Sequence, residues 1–538
     1  MAETDSLASD LQHLTLDYYH CSFFFPLIPN LGKDLPPLPD KPEHLYTETG
    51  ATRATDEERA AYHYFTPILR NVLFKQSATT NDQALIPLQE WRLNDIADWR
   101  LTLKQITGTS DYVVPDKTVK FESLRLYRYF NGLQLLAFTV KPADHESMIM
   151  EDWLHFTRLA RQLYPTFVEQ SHEKKIAPLV LRQGAQPEIT ALNEDTIAIP
   201  PPQQSSHYLS PIIQALVTSF YTEQQGITQW LEQDAALYDD RMFISVVYGV
   251  PEEILKCSCF DERSRELCKN RLNQIQTLVA YTDRGSDAWM NGYPYDPSYI
   301  ENDLKNKKFS LWEQAGTTYF YTDMVNAALG GGWFFNNIIA PKHIPNIYDR
   351  MLIQALFYQA SLRYYDQTIT LSTTQLLKHQ QTDEIKQQYA QFIQFTNQYW
   401  FSDLTQQMQG KAIGRLQQQG LELKLHYDRI LDELNRTSDF LQAKQELELA
   451  QHSLDLTKTS KNLTKYGAIF AVLAIYFALV PIIKDWREDW RGAIGWETWQ
   501  SNIIPAWGEG LLLGLIVLIV IPIILWYITI KLIDRSKR

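Results

Sequence analysis

Two uncharged apolar windows near the C-terminus constrain this chain most. Residues 466–483 (YGAIFAVLAIYFALVPII) carry no charge between Lys465 and Lys484, and residues 510–530 (GLLLGLIVLIVIPIILWYITI) carry none between Glu509 and Lys531. At about 1.5 Å per helical residue the second window spans roughly 30 Å, the thickness of a hydrocarbon core, and the first lies at the short end of that range. Trp486, Trp490, Trp496, Trp499 and Trp507 crowd the connection, and Trp526 and Tyr527 stand near the far end of the second window. Indole rings favour the headgroup level, so the connection is expected to lie on a membrane surface.

Basic residues set the expected orientation. Lys458, Lys461 and Lys465 precede the first window, and Lys531, Arg535, Lys537 and Arg538 follow the second. Between the windows stand only Lys484, Arg487 and Arg491. This bias places both termini in the cytoplasm and makes the chain a multi-pass protein of the cell (inner) membrane. The start, MAETDSLASD, is acidic and has no apolar signal region.

The expected class is an α/β cytoplasmic domain plus a long helical stalk and two C-terminal transmembrane helices. The α/β domain takes residues 1–342, and a helical hairpin with the stalk helix takes 343–465. Transmembrane helix 1 follows at 466–483, an extracytoplasmic loop at 484–509, transmembrane helix 2 at 510–530 and a basic cytoplasmic tail at 531–538. Prolines carry much of this division: 22 of the 25 occur by Pro345, and the next is Pro481. The proline-free stretch between, rich in Gln, Leu, Glu and Lys, reads as helical. Helices are expected over about 346–372, over about 382–411, and from near Gly414 or Gly420 onward, the last running without a break into the first window. Charges over 420–465 nearly cancel, eight acids against seven bases. Leu423, Tyr427, Ile430 and Leu434, then Phe440, Ala443, Leu447, Ala450 and Leu454, recur at 4-3-4 spacing, which suits either a local bundle or a stalk against copies of itself.

Before Pro345 the sequence is mixed. Asn131-Gly132 divides two β-rich runs over 123–140 and predicts a hairpin. Residues 241–250 (RMFISVVYGV) read as a buried strand, residues 312–322 as a second hairpin around Gly316, and residues 150–164 as a helix. Residues 22–42 hold six prolines and read as irregular. Gly330, Gly331 and Gly332 lack the Lys-Ser/Thr of a phosphate loop and read as a flexible turn.

The net charge of −13 argues against a nucleic-acid partner, because a polyanion needs a basic face. Four cysteines in 538 residues exclude a disulfide scaffold. Cys257, Cys259 and Cys268 lack the spacing of a zinc ribbon, and no catalytic signature appears, so the chain is not read as an enzyme. Two groups remain as candidates. Gly467, Ala471, Ala474 and Ala478 put small side chains on one face of the first window, either packing against the second window or lining a pore. Asp485, Glu488, Asp489, Glu497 and Glu509 follow; repeated around a ring they would concentrate cations at a pore mouth, and otherwise they solvate a loop.

From about Gly316 to the C-terminus the chain resembles the CorA family of metal-ion transporters. GTTYFYTDMVNAAL is similar to that family's last strand and the turn into its helices, and IYDRMLIQALFYQASLRYYDQ to the helix before its stalk. The resemblance implies a homopentamer in the lipid bilayer, with first spans around the axis and passive flow of a divalent cation (Mg2+ or similar) as substrate or regulator. By the same resemblance Asp428, Asp432 and Glu433 would hold a divalent ion between protomers; the alternative, which the residues themselves favour, is a solvated helical face. The family's Gly-Met-Asn is absent: the matching place reads Ala478, Leu479, Val480, Pro481, Ile482. Selectivity is therefore expected to differ. The alternative is a membrane-anchored regulatory or defence effector on the same scaffold, sensing a cytoplasmic signal.

Overall fold

Strand β1 (Tyr18–Pro29) is apolar at nearly every position, as a strand covered on both faces must be. The computed structural model describes residues 14–39, 61–74, 85–86, 88–107, 113–163, 166–167, 174–175, 178–191, 209–236, 239, 241–256, 262–282, 297–322, 324–379, 383–493, 519, 522–524, 526–527 and 530–531. They fall into two compact units, Met1–Leu434 and Asn435–Arg538.

The first unit is built on a mixed sheet. Its strands after β1 are β2 (Gln89–Arg92), β3 (Trp99–Leu103), β4 (Lys117–Arg128), β5 (Gln134–Pro142), β6 (Leu179–Gln183) and β7 (Ile189–Thr190). Then come β8 (Ala235–Ala236), β9 (Phe243–Val250), β10 (Lys308–Phe309), β11 (Thr317–Tyr321) and β12 (Val325–Gly331). The order is β7-β6-β3-β4-β5-β1-β9-β12-β11-β10, with β2 on β4 and β8 on β1. Strands β9 and β12 run parallel; their other pairings in this sheet are antiparallel.

Helices α1 (Pro67–Leu73), α2 (Met150–Ala160), α3 (Pro211–Thr218), α4 (Gln224–Gln233), α5 (Glu262–Ala280) and α6 (Pro297–Lys307) accompany the strands. One sheet face carries Cys21, Phe23, Phe138, Val140, Ile244 and Val246, packed with Trp153 and Phe156 of α2, Leu216 of α3 and Ile275 of α5. The other face meets α7 (Asp349–His379), which leads to α8 (Asp383–Gln394), α9 (Met408–Gly420) and α10 (Leu423–Ala493). Tyr129 of the β4–β5 turn stacks on Phe357 of α7 at 4.1 Å and donates a hydrogen bond to Ile353 O at 3.0 Å. Trp400 bridges Tyr358 of α7 and Tyr427 of α10, with ring centres 4.6 and 4.9 Å away. Leu423, Ile430 and Leu434 are buried, so the first turns of α10 belong to the core of this unit.

Several sequence expectations hold. The hairpin β4–β5 turns at Asn131-Gly132, with Gly132 at φ +86°. The strand expected over 241–250 is β9, buried throughout. Others are corrected. Part of the proline-rich 22–42 is the middle of the sheet, because Pro26 lies just past the residues of β1 that pair with β9, where a missing N–H breaks no bond to that neighbour. The glycine run is no flexible turn: Gly330 and Gly331 end a buried strand. A Cβ there would lie 2.2 Å from the Phe335 ring and 2.5 Å from Val250 O, so these positions serve close packing. Around Gly316 the turn does join β10 to β11, but the longer partner of β11 is β12. The helix expected over 382–411 ends by Tyr399, and α9 begins only at Met408. Gly414 lies inside α9, and the break follows Gly420, with Glu422 at φ +50°. Phe335–Tyr348 forms wide helical turns that carry Pro341 and Pro345 into α7.

Candidate functional site

Helix α10 contains the whole first apolar window. The stretch Leu423–Ile482 is long and apolar enough to cross a membrane, and no residue of its apolar window is buried. Phe470 and Phe477 are each 69% exposed, and Ile469, Leu473, Ile475 and Ile482 are exposed beside them. Core helices of soluble domains bury such side chains, and this helix covers none of them.

Gly467, Ala471, Ala474 and Ala478 lie on this helix and are exposed. Steps of about 100° per residue put all four on one face. A Cβ added to Gly467 would touch nothing within 4 Å. The helix continues through Pro481 to Ala493, because the missing N–H removes a single i→i−4 bond while neighbouring turns persist. Residues 484–493 are therefore helical, which puts Asp485 and Asp489 one turn apart. Asp485 is exposed; the side chains of Glu488 and Asp489, and Glu497 and Glu509 entirely, lie outside the described residues. So does most of the second window, and one candidate span, not two, is found among the described residues.

The stalk acids are engaged locally. Asp428 accepts from Lys424 Nζ at 2.9 Å. Burial, with Asp366 nearby, holds the Glu433 carboxyl above its usual range, and Arg429 opposes this. Among the described residues no group of three His, Cys, Asp or Glu side chains is placed to hold a metal ion. Cys257 and Cys259 lie outside the described residues. Cys268 is disulfide-bonded, whereas Cys21 is a buried free thiol in β1.

A second constellation escaped sequence reasoning. Pairing places Thr139, Ser22, Ser245 and Asn326 in one row across β5, β1, β9 and β12, on the face under α7. Asp349 opens α7 above this row. Ser22 Oγ donates to Asp349 Oδ2 at 3.2 Å, and Ser245 bonds the same carboxylate. Thr139 Oγ1 lies 2.9 Å from Ser22 Oγ and is the donor there, since the Ser22 proton is already committed. Burial pushes the Asp349 carboxyl up to about 6, while the two serines and the Arg125 guanidinium restrain the rise. In the same strand, burial and then Lys141 pull His20 down to about 3, so its imidazole is neutral at physiological pH.

On the opposite face, Thr157 links the Tyr19 and Tyr248 hydroxyls at 2.9 Å each, and Lys117 Nζ meets Asp152 Oδ2 at 2.7 Å. Burial holds both phenols above their usual range, which leaves them unsuited to act as nucleophiles. The only sequence signal for the polar row is a Ser inside an aromatic strand; its partners lie hundreds of residues away.

No protein-family model matches this chain, and neither does any curated protein or any solved structure.

Proposed function

We propose that this chain is an integral membrane protein whose copies form a passive cation channel or transporter of CorA type. The α/β unit is its cytoplasmic body, and its partners are the lipid bilayer and further copies of the chain. The observation that carries this reading is the uncovered apolar length of α10. Apolar surface left in water is unfavourable by about 25 cal/mol per Å². Such a surface needs lipid, other copies, or both.

In this reading Gly467, Ala471, Ala474 and Ala478 face the axis. A lumen lined by small apolar side chains closes by dewetting and conducts when widened. The carboxylates from Asp485 to Glu509, repeated by symmetry, raise the local concentration of a divalent cation such as Mg2+ at the mouth. Without Gly-Met-Asn, selectivity rests on those charges and on pore width. The test is flux of Mg²⁺, Zn²⁺ and K⁺ from vesicles holding the purified protein, after measuring the mass of the detergent-solubilised complex. Cation flux by a symmetric oligomer is expected; a well-folded oligomer that passes no ion in any condition would sink the reading.

The absence of Gly-Met-Asn and the size of the Met1–Leu434 unit favour a second reading. Here the chain is a membrane-anchored regulatory or defence effector, and the cytoplasmic unit senses a signal that governs the membrane helices. Full retention of ion flux after removal of that unit counts against this version.

A further inference from the structure

Helix α10 changes surroundings part-way along. Leu423, Ile430 and Leu434 are buried in the core of the first unit, and among the described residues of the helix none beyond Leu434 is buried. The apolar spacing slips at the same place. From Leu434 to the next member, Phe440, is six residues, which turns the helix by about 240° at about 100° per residue. Phe440, Ala443, Leu447, Ala450 and Leu454 therefore lie on a different face from the one that the first unit buries. All five are exposed, Leu447 at 59% and Leu454 at 61%. An apolar stripe this exposed needs a partner.

The charges beside the stripe identify that partner. With Phe440, Leu447 and Leu454 at heptad position a, and Ala443 and Ala450 at d, position g holds Asp439 and Glu446, and position e holds Lys444, Gln451 and Lys458. In a parallel pair of identical helices, g of one heptad meets e of the next on the other copy. Asp439 then meets Lys444, a carboxylate beside a cation. Glu446 meets Gln451, an amide donor; it already accepts from Gln442 Nε2 at 3.2 Å, and a carboxylate has further lone pairs to offer. An antiparallel pair sets g against g and e against e, so acids face acids and lysines face lysines. The pattern fits a second copy of this helix running in the same direction. The other exposed run, Leu449, Leu456 and Leu463, recurs only every seventh residue, with His452 and Thr459 at the steps between. It lacks the second apolar layer that a coiled seam requires.

We infer that residues 439–458 of α10 are an interface between copies of this chain, packed as a short parallel coiled coil outside the lipid. The segment spans about 30 Å at about 1.5 Å per residue. Its stripe covers roughly two heptads, fewer than the three to four of a free-standing coiled coil. The inference therefore rests on the membrane reading. Spans side by side in one bilayer hold the stalks near one another, which raises their effective concentration. The helix is unbroken from Leu423 to Ala493, so each stalk takes the direction of its span, and copies inserted alike point the same way.

The full-length protein is reconstituted in vesicles at low density and oxidised mildly with copper phenanthroline. Covalent dimers are measured on a non-reducing gel, with the native protein as the blank for its own four cysteines. Leu447→Cys, at a position that faces its counterpart across a parallel seam, should give a dimer yield severalfold above that of Leu449→Cys, which is turned away. Both positions are exposed, so neither change threatens the fold. Asp439→Lys should lower the yield from Leu447→Cys, and adding Lys444→Asp should restore it; a merely solvated helix would respond to neither. Equal yields from Leu447→Cys and Leu449→Cys, or no rescue by the second charge reversal, overturn the inference. Flux from the same vesicles separates it from the channel. Flux by an oligomer that gives no Leu447→Cys crosslink overturns the interface alone. Crosslinks without flux in any condition support the interface and overturn the channel.

Discussion

Asp349 shows how one side chain can set a pH response for the α/β unit. Its carboxyl is raised from an ordinary value of 3.8 to about 6 by burial between the start of α7 and the sheet. A raised folded-state pKa means the folded protein holds that proton more tightly than the unfolded chain does. Stability from this group is complete below about pH 4 and is lost as pH rises through 6, by roughly 3 kcal/mol for a shift of about two units. Asp349→Asn keeps a hydrogen-bonding side chain beside Ser22 and Ser245 and removes the charge. Urea unfolding should show it more stable than the native protein by about 2–3 kcal/mol at pH 7.5, with the difference vanishing near pH 4. A constant difference across that range would refute the assignment. None of this was legible in the sequence. The serines and Asp349 lie more than 300 residues apart along the chain for Ser22, and no local pattern brings them together.

The elements divide into those specified locally and those specified by neighbours. The β4–β5 hairpin was legible because Asn-Gly supplies the positive φ its turn requires. The apolar helix was legible because its length and lack of charge are properties of contiguous residues. Strand β1 was not, since its prolines read as breakers until the register shows Pro26 beyond the reach of β9. The break between α9 and α10 was placed only approximately. Gly420 was a fair signal, and its place is crowded: a Cβ there would lie 3.0 Å from Thr322 O and 3.1 Å from Tyr321 O, tighter than ordinary contact. For the apolar helix a direct prediction follows. Leu473→Arg puts a cation in mid-window at a penalty of about 2.5–3.5 kcal/mol for insertion, and Leu473→Ala does not. The arginine variant should leave the carbonate-resistant membrane fraction to a measurable extent while the alanine variant stays; equal retention of both would show that this window is not in lipid.

For the whole molecule, the division at Leu434 carries the consequence. The unit Met1–Leu434 has its own sheet, both faces of it covered, and the first turns of α10 to complete its core. Expressed alone, residues 1–434 should remain monodisperse in detergent-free buffer and unfold cooperatively, whereas the full chain should require detergent if the proposed membrane reading holds. Aggregation of the truncated protein in light-scattering measurements would show instead that residues 435–538 belong to its core.

The sequence by itself determined that an uncharged apolar helix follows a long proline-free stretch, that a mixed α/β body precedes it, and where a tight turn falls. These rest on contiguous residues, through hydrophobic length, periodicity and backbone preference. Tertiary structure alone decided that a proline-bearing segment is the central strand, that two glycines seal a buried edge against Phe335 and Val250, and that Asp349 rests on a row of hydroxyls. Each depends on which distant strand lies beside which and in what register, and in a sheet a shift of one residue turns every side chain to the opposite face.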